Sequence, residues 1–218
     1  MIQGAGELPF IGKFGSTLSM GITEINTQNL KKFRTAYLNK IAELAKGKPF
    51  VTDKMPQNFW YIDLIFSAIP EAKIIHVRRD PVATCWSNFK HYFSVDGLGY
   101  SYDLHDTLSY FKLYKNLMDI WNEFYGDRIY HLNYEKLTLN QTSETKKAIN
   151  YIGVGWQNRC LEPHKNKRVI RTASQQQVRK KVYVGSSQEW RKFEPYLNGT
   201  FDELLFQKKS SKRANSNS

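Results

Sequence analysis

Between Leu30 and Leu44 the apolar residues Leu30, Phe33, Tyr37, Ile41 and Leu44 recur at helical spacing and form one stripe. Thr27 can cap that stripe, and Gly47 and Pro49 stop it, so the pattern predicts a helix from Thr27 to about Lys46. PFVTD (49–53) reads as a short strand, and Asn58 to Ala68 as a helix ended by Pro70. KIIHV (73–77) is a continuous apolar run, the pattern of a parallel strand buried on both faces. Asp80 caps the next helix, with Pro81 at its first turn, and the pattern carries it to about Phe93. A long amphipathic helix is predicted from His105 to Tyr125, closed by Gly126, with Leu108, Phe111, Leu117, Met118, Trp121 and Phe124 among its core candidates. RIYHLNY (128–134) is a further strand, and Ser143 to Ile152 a last helix closed by Gly153. Strands alternating with helices predict an α/β fold with a parallel sheet flanked by helices.

Ligands of open α/β sheets sit at the carboxyl ends of the strands. Three polar clusters fall there: Asp53 with Lys54, Arg78 with Arg79 and Asp80, and Tyr134 with Glu135. Strand ends are also polar simply because they reach solvent, but three together point to one common site.

The formal charge is +12, and it is unevenly placed. Residues 165–192 carry nine basic side chains and one acid, Glu189, interleaved with Val169, Ile170, Val178, Val182, Tyr183 and Trp190. Basic residues among packing residues suggest a folded anion site. The tail 207–218 is basic and reads as disordered, leaving 1–206 as one domain. Cys85 and Cys160 make no CxxC pair, and the five histidines show no metal spacing, so no metal is expected. Cys85 reads as a small buried hydrophobe. No apolar run reaches the length of a membrane span, no signal-peptide pattern opens the chain, and a reducing, cytoplasmic setting is the expectation.

DKMP at 53–56, then IP-x-AKIIHV-RRDP at 69–81, then Ser87 eight residues after Arg79 form an ordered set. GAGELPF (4–10), Asn133-Tyr134-Glu135, RTASQQQV (171–178) and SSQEWRKFEPYL (186–197) extend it. The set resembles the sulfotransferases, most closely the branch of the tyrosylprotein and bacterial tetratricopeptide-linked enzymes. The resemblance implies a P-loop NTPase-like fold and a donor substrate, 3'-phosphoadenosine 5'-phosphosulfate. It also implies a hydroxyl-bearing acceptor: a peptide tyrosine, a sugar or a small alcohol. Neither a metal nor a nucleic-acid partner is implied.

Residue by residue, the resemblance implies that Arg79 and Ser87 hold the 3'-phosphate and that Tyr134 contacts the nucleotide. Gln177, Val178 and Tyr183 fall in the segment that wraps it. Lys54 and Ser174 match groups that stabilise charge on the bridging oxygen, and Glu7 matches the general base. A planar guanidinium suits two-pronged phosphate binding, and sulfuryl transfer needs positioning and charge stabilisation more than covalent help. Each position has a plainer reading beside this one. Arg79 could pair with Asp80 or Glu135, Lys54 and Glu7 could be surface charges, Ser174 a loop hydroxyl, and Tyr134 a packing residue. Arg78 reads as structural and Trp190 as a core anchor. The loop 94–102, with Gly97, Gly99, Tyr100 and Tyr102, is a candidate acceptor wall.

The family pattern opens with a strand and a phosphate loop, typically PRSGTT, and nothing ahead of Glu7 matches it. The expected fold is therefore N-terminally truncated, its first strand and phosphate loop missing. Glu189 and His91 stand where the tyrosylprotein branch carries a lysine and an arginine, with Lys90, Arg191 and Lys192 as possible substitutes. A non-catalytic remnant of the same fold that binds nothing or only the bisphosphate, and a basic nucleic-acid binder, are the competing readings.

Overall fold

The computed structural model describes residues 1–93, 97–166 and 180–206. Two compact units emerge, one of Met1–Lys73 with Ile120–Phe124, the other of Ile74–Asp119 with the described residues from Tyr125 onward.

The first unit begins with β1 (Ile2–Gly6), α1 (Phe10–Ser19), α2 (Thr27–Ala45) and β2 (Phe50–Asp53). β1 and β2 pair in parallel, Ile2 opposite Phe50 and Gly4 opposite Thr52. The register then shifts, so that Gly6 rather than Ala5 lies opposite Asp53. Gly6 takes φ 88°, a conformation that glycine adopts without a Cβ penalty. Neither β1 nor α1 is predicted by the apolar pattern. Glycines at 4, 6, 12 and 15 weaken both periodicities, and Gly15 is small for a packing reason. A Cβ there would lie 2.7 Å from Leu64 Cδ2 and 3.4 Å from Tyr61 Cδ1.

α2 has the predicted extent, but its cap is Asn26, whose side chain accepts from Asn29 N at 2.9 Å. The predicted helix over 58–68 splits. Pro56–Tyr61 is a 3-10 segment, and only α3 (Ile62–Ala68) is α-helical, burying Ile62, Leu64, Ile65, Phe66 and Ala68. Trp121 donates its indole N–H to Phe59 O at 2.8 Å. Phe124, a predicted core residue, is 70% exposed.

The second unit holds β3 (Ile74–Arg78), α4 (Pro81–Phe89), α5 (Leu104–Tyr125, whose residues 120–124 belong to the first unit), β4 (Ile129–Asn133), α6 (Tyr134–Leu139) and α7 (Gln141–Ile152). β3 and β4 pair in parallel without a shift, from Ile74 opposite Ile129 to Arg78 opposite Asn133. The ladders stay separate: the described strands make two parallel pairs, where the sequence predicts one sheet. Val77 is 55% exposed, so β3 is not buried on both faces as its apolar run suggested. Tyr151 of α7 ties the start of this ladder, donating to Arg128 O at 2.5 Å and accepting from Ile74 N at 3.2 Å.

Asp80 caps α4 as predicted, its carboxylate accepting from Ala83 N at 3.0 Å. α4 stops four residues short of the predicted end. His91 Nδ1 donates to Ser87 O at 2.7 Å, closing the helix with a side chain. Val82, Ala83 and Cys85 of α4 bury against Leu108 of α5 and against Trp190, Leu197, Phe201 and Leu204. Trp190 is thus a core anchor, set in a 3-10 segment (Ser186–Tyr196) that the sequence pattern does not predict. Among the described residues no helix is long and apolar enough to cross a membrane.

Gly12 and Gly15 of α1 give a differential test. The nearest atom to a Cβ on Gly12 is 3.9 Å away, so Gly12→Ala should stabilise the protein by about 0.5–1 kcal/mol through helix propensity. At Gly15 the same gain is opposed by overpacking of roughly 1–3 kcal/mol. Chemical denaturation should show opposite signs for the two variants; equal stabilisation by both would contradict the packing described here.

Candidate functional site

In the first unit the ladder ends on two charged side chains. After Gly6 and Asp53 the next residues in register are Glu7 and Lys54, and Lys54 N still donates to Gly6 O at 2.8 Å. The Lys54 ammonium and the Glu7 carboxylate form an ion pair, so two residues 47 positions apart in the chain meet here. Both are solvent-facing, the lysine side chain at 67% and the glutamate at 35% exposure, and such a pair adds little to stability. Asp53 braces the site beneath them. Its Oδ1 accepts from Leu8 N at 3.2 Å, and its Oδ2 accepts from the Tyr37 hydroxyl at 3.2 Å and from Asn58 Nδ2 at 3.4 Å. Burial raises the Asp53 carboxyl above its ordinary range, against the lowering effect of those donors and of Lys54. Burial likewise raises Tyr37, helped by the neighbouring Asp53 charge.

The second unit presents an arginine in a fixed setting. Arg79 follows β3 directly. Its Nε donates to Ser187 Oγ at 3.1 Å and its Nη2 to Ser186 O at 2.8 Å. The guanidinium lies over the Tyr134 ring, 5.4 Å from the centroid, and the Tyr134 hydroxyl shares a hydrogen bond with Ser186 Oγ at 3.0 Å. Neither Asp80 nor Glu135 pairs with Arg79. Asp80 caps α4, and Glu135 Oε1 accepts from Asp80 N at 3.0 Å and from Ser187 Oγ at 2.6 Å. Among the described residues no carboxylate forms an ion pair with Arg79. A half-buried guanidinium oriented by neutral acceptors keeps its charge available for an anion.

The other predicted residues fall unevenly. Ser87 lies on α4, two turns beyond Arg79, and no hydrogen bond joins the two. Tyr183 is 44% exposed. Ser174, Gln177 and Val178 lie outside the described residues. Lys90, named as a substitute cation, is held by Glu189 at 3.2 Å, and Arg191 stacks on Trp190, 4.8 Å from the ring centroid. The described part of the 94–102 loop is pinned rather than open. Tyr100 stacks on Tyr110 at 3.8 Å, and Thr107 Oγ1 donates to Tyr100 O at 3.0 Å. Ser186 and Ser187 were visible in the sequence only as part of the SSQEW match; their role depends on a contact across more than 100 residues. Cys85 is buried and its thiol is pushed up to about 12, chiefly by burial, which leaves it inert. Among the described residues no three His, Cys, Asp or Glu side chains are placed to hold a metal ion.

Two residues upstream of Arg78, the ladder carries a paired histidine step that the sequence reading passed over. His76 and His131 are register partners, Nδ1 to Nδ1 at 3.0 Å, and His76 Nε2 meets the Tyr114 hydroxyl at 2.5 Å. Burial lowers His76 to about 4, with His131 and Arg78 adding to the effect. His131 is lowered by burial and Arg78. One ring nitrogen must be an N–H and the other bare for the 3.0 Å contact to exist, so both rings cannot be cations at once.

Over residues 22–158 the chain matches the model of the Sulfotransferase family. That span contains Lys54, Arg79, Ser87 and Tyr134, and leaves Glu7 and residues 174–183 outside it. The chain is also similar to a protein of Aquifex aeolicus (strain VF5) that bears the name "Uncharacterized protein", with 30% identity over 220 residues. The alignment takes in 94% of this chain and 29% of that relative, so the chain spans less than a third of the length of the curated relative it matches.

The histidine pair sets a pH window. His76 has a folded pKa of about 4, below an unfolded value of about 6.5, so the unfolded chain binds the proton first. The resulting stability is present above about pH 6.5 and is lost as pH falls toward 4, at up to roughly 1.4 kcal/mol per pH unit. Denaturant titrations between pH 7 and 4.5 should show His76→Gln losing stability less steeply than the wild type; parallel curves would mean that His76 does not titrate as described.

Proposed function

The chain belongs to the sulfotransferase family, and on that premise we propose that it moves a sulfuryl group from 3'-phosphoadenosine 5'-phosphosulfate to a hydroxyl acceptor. The observation that carries this reading is the state of Arg79: oriented along one edge by Ser186 O and Ser187 Oγ, covered on one face by Tyr134, and unpaired with any described carboxylate. Such a guanidinium is ready for a doubly charged phosphate, and the 3'-phosphate is the group the family motif assigns to it. Ser87 adds a hydroxyl donor on α4, the helix that opens just past Arg79, and Tyr134, Tyr183, Gln177 and Val178 contact the nucleotide in this reading.

Glu7 and Lys54 divide the chemistry. As the acceptor oxygen bonds to sulfur, Glu7 takes the hydroxyl proton. The bond from sulfur to the bridging oxygen breaks, and adenosine 3',5'-bisphosphate leaves with new charge on that oxygen. Lys54, with Ser174, stabilises that charge. The ion pair between Glu7 and Lys54 supports these roles, because it keeps a proton acceptor and a cation side by side at one strand edge. The acceptor is a peptide tyrosine, a sugar or a small alcohol.

Calorimetry with adenosine 3',5'-bisphosphate tests the donor half. Arg79→Ala should weaken binding by about tenfold to a hundredfold, the value of a charge-assisted hydrogen bond, while exposed Arg78→Ala changes it little. Equal losses would remove Arg79 from this role. Sulfate transfer from labelled donor tests the chemical half. Glu7→Gln should lower turnover by roughly 10²–10⁴ with bisphosphate affinity unchanged. Wild-type turnover in that variant with an alkyl alcohol acceptor would place the base elsewhere.

A further inference from the structure

Arg79 and Glu135 do not touch, yet one oxygen of Glu135 governs where the guanidinium lies. We infer that Glu135 is the positioning residue of the Arg79 anion site, acting through the hydroxyl of Ser187. This inference deepens the donor reading given above and rests on it for its ligand.

The direction of the hydrogen bonds is set by chemistry. Ser187 has one hydroxyl proton and lies between a carboxylate and a guanidinium. An ionised carboxylate only accepts, and a guanidinium only donates. The hydroxyl therefore donates to Glu135 Oε1 over 2.6 Å and accepts from Arg79 Nε over 3.1 Å. Ser187 is 4% exposed, so water has little room to take over either bond. A hydroxyl between two neutral partners could turn either way; this one is held in a single orientation, with its lone pair toward Arg79.

The same Oε1 accepts from Asp80 N, the backbone group that follows Arg79 and opens α4. Glu135 thus fixes the backbone just past Arg79 and, through Ser187, the Nε edge of its side chain. Nη2 is fixed by Ser186 O, so the Nε–Nη2 edge of the plane is occupied and the Nη1–Nη2 end is left for a ligand. An indirect link has an advantage over a salt bridge. A carboxylate bound straight to Arg79 would cancel the charge that an anion needs, whereas a carboxylate one hydroxyl away aligns the group and leaves the ligand-binding edge open.

A double-mutant cycle on the full 218-residue chain separates positioning from simple support. Glu135→Gln keeps the shape and an acceptor oxygen but removes the charge. Calorimetry with adenosine 3',5'-bisphosphate should show about a tenfold loss of affinity in this variant. In an Arg79→Ala background the same change should add almost nothing, because the group that it orients is gone. Additive losses, or wild-type affinity in Glu135→Gln, would overturn the inference. Ser187→Ala is the second variant; it breaks the relay, keeps the Asp80 N contact, and should match Glu135→Gln in affinity. Side-chain NMR of the Arg79 Nε–H provides a readout without ligand. Its solvent exchange should quicken several-fold in both variants, and unchanged exchange in both would overturn the relay whatever the nucleotide does. A wild-type chain that binds no bisphosphate, with the exchange effect intact, would instead count against the donor reading alone.

Discussion

In a parallel strand pair both chains leave the ladder at the same edge, so the residue after one strand meets the residue after its partner. This protein uses that constraint twice. Arg78 opposite Asn133 delivers Arg79 beside Tyr134, and Gly6 opposite Asp53 delivers Glu7 beside Lys54. None of these four needs a dedicated loop to be aimed. The backbone hydrogen bonds that hold each ladder also fix the spacing of the side chains beyond it. Charge then distinguishes the two edges. Lys54 is met by a carboxylate, whereas Arg79 is met by a carbonyl, a hydroxyl and a ring.

The supports under the two edges follow a common logic. Asp53 lies beneath Glu7 and Lys54, and Glu135 lies beneath Arg79. Each takes a backbone N–H from the residue next to a functional one: Leu8 N for Asp53, Asp80 N for Glu135. A carboxylate that accepts a backbone donor is tied to the chain rather than to solvent, so its remaining lone pairs are directed. The hydroxyls of Tyr37 and Ser187 complete these arrangements from other elements. The core around Trp190 carries the Ser186–Ser187 step, and so links apolar packing to the placement of an arginine side chain.

Much of this was legible in the residues. The alternation of α2, β2, β3, α4, α5, β4 and α7 followed from apolar spacing, and the cap at Asp80 from its Pro81 neighbour. Arg79, Tyr134 and Lys54 stood out as polar residues where strands should end, and Glu7 through the resemblance of GAGELPF to the family pattern. What escaped had physical reasons. β1 and α1 are rich in glycine, so neither shows a clean period, and the 3-10 run over 186–196 has no periodic signature of its own. The exposure of Val77 and Phe124 could not be foreseen because an apolar run predicts burial without naming what covers it. The histidine step was invisible for another reason: a register partner 55 positions away leaves no local trace.

The shifted pairing between Gly4 and Gly6 makes the length of β1 a chemical quantity. Without the register shift, Ala5 would stand opposite Asp53 and Gly6 opposite Lys54, and Glu7 would face Met55 on the next rung. A point substitution at Ala5 leaves that count intact, whereas a one-residue insertion ahead of Gly6, with the shift kept, would hand the lysine a partner with no side chain. Drift at Ala5 is therefore free in letter but not in number. When related chains are compared, an added position between the start of β1 and the acid is a stricter criterion than the identity of the residue at position 5.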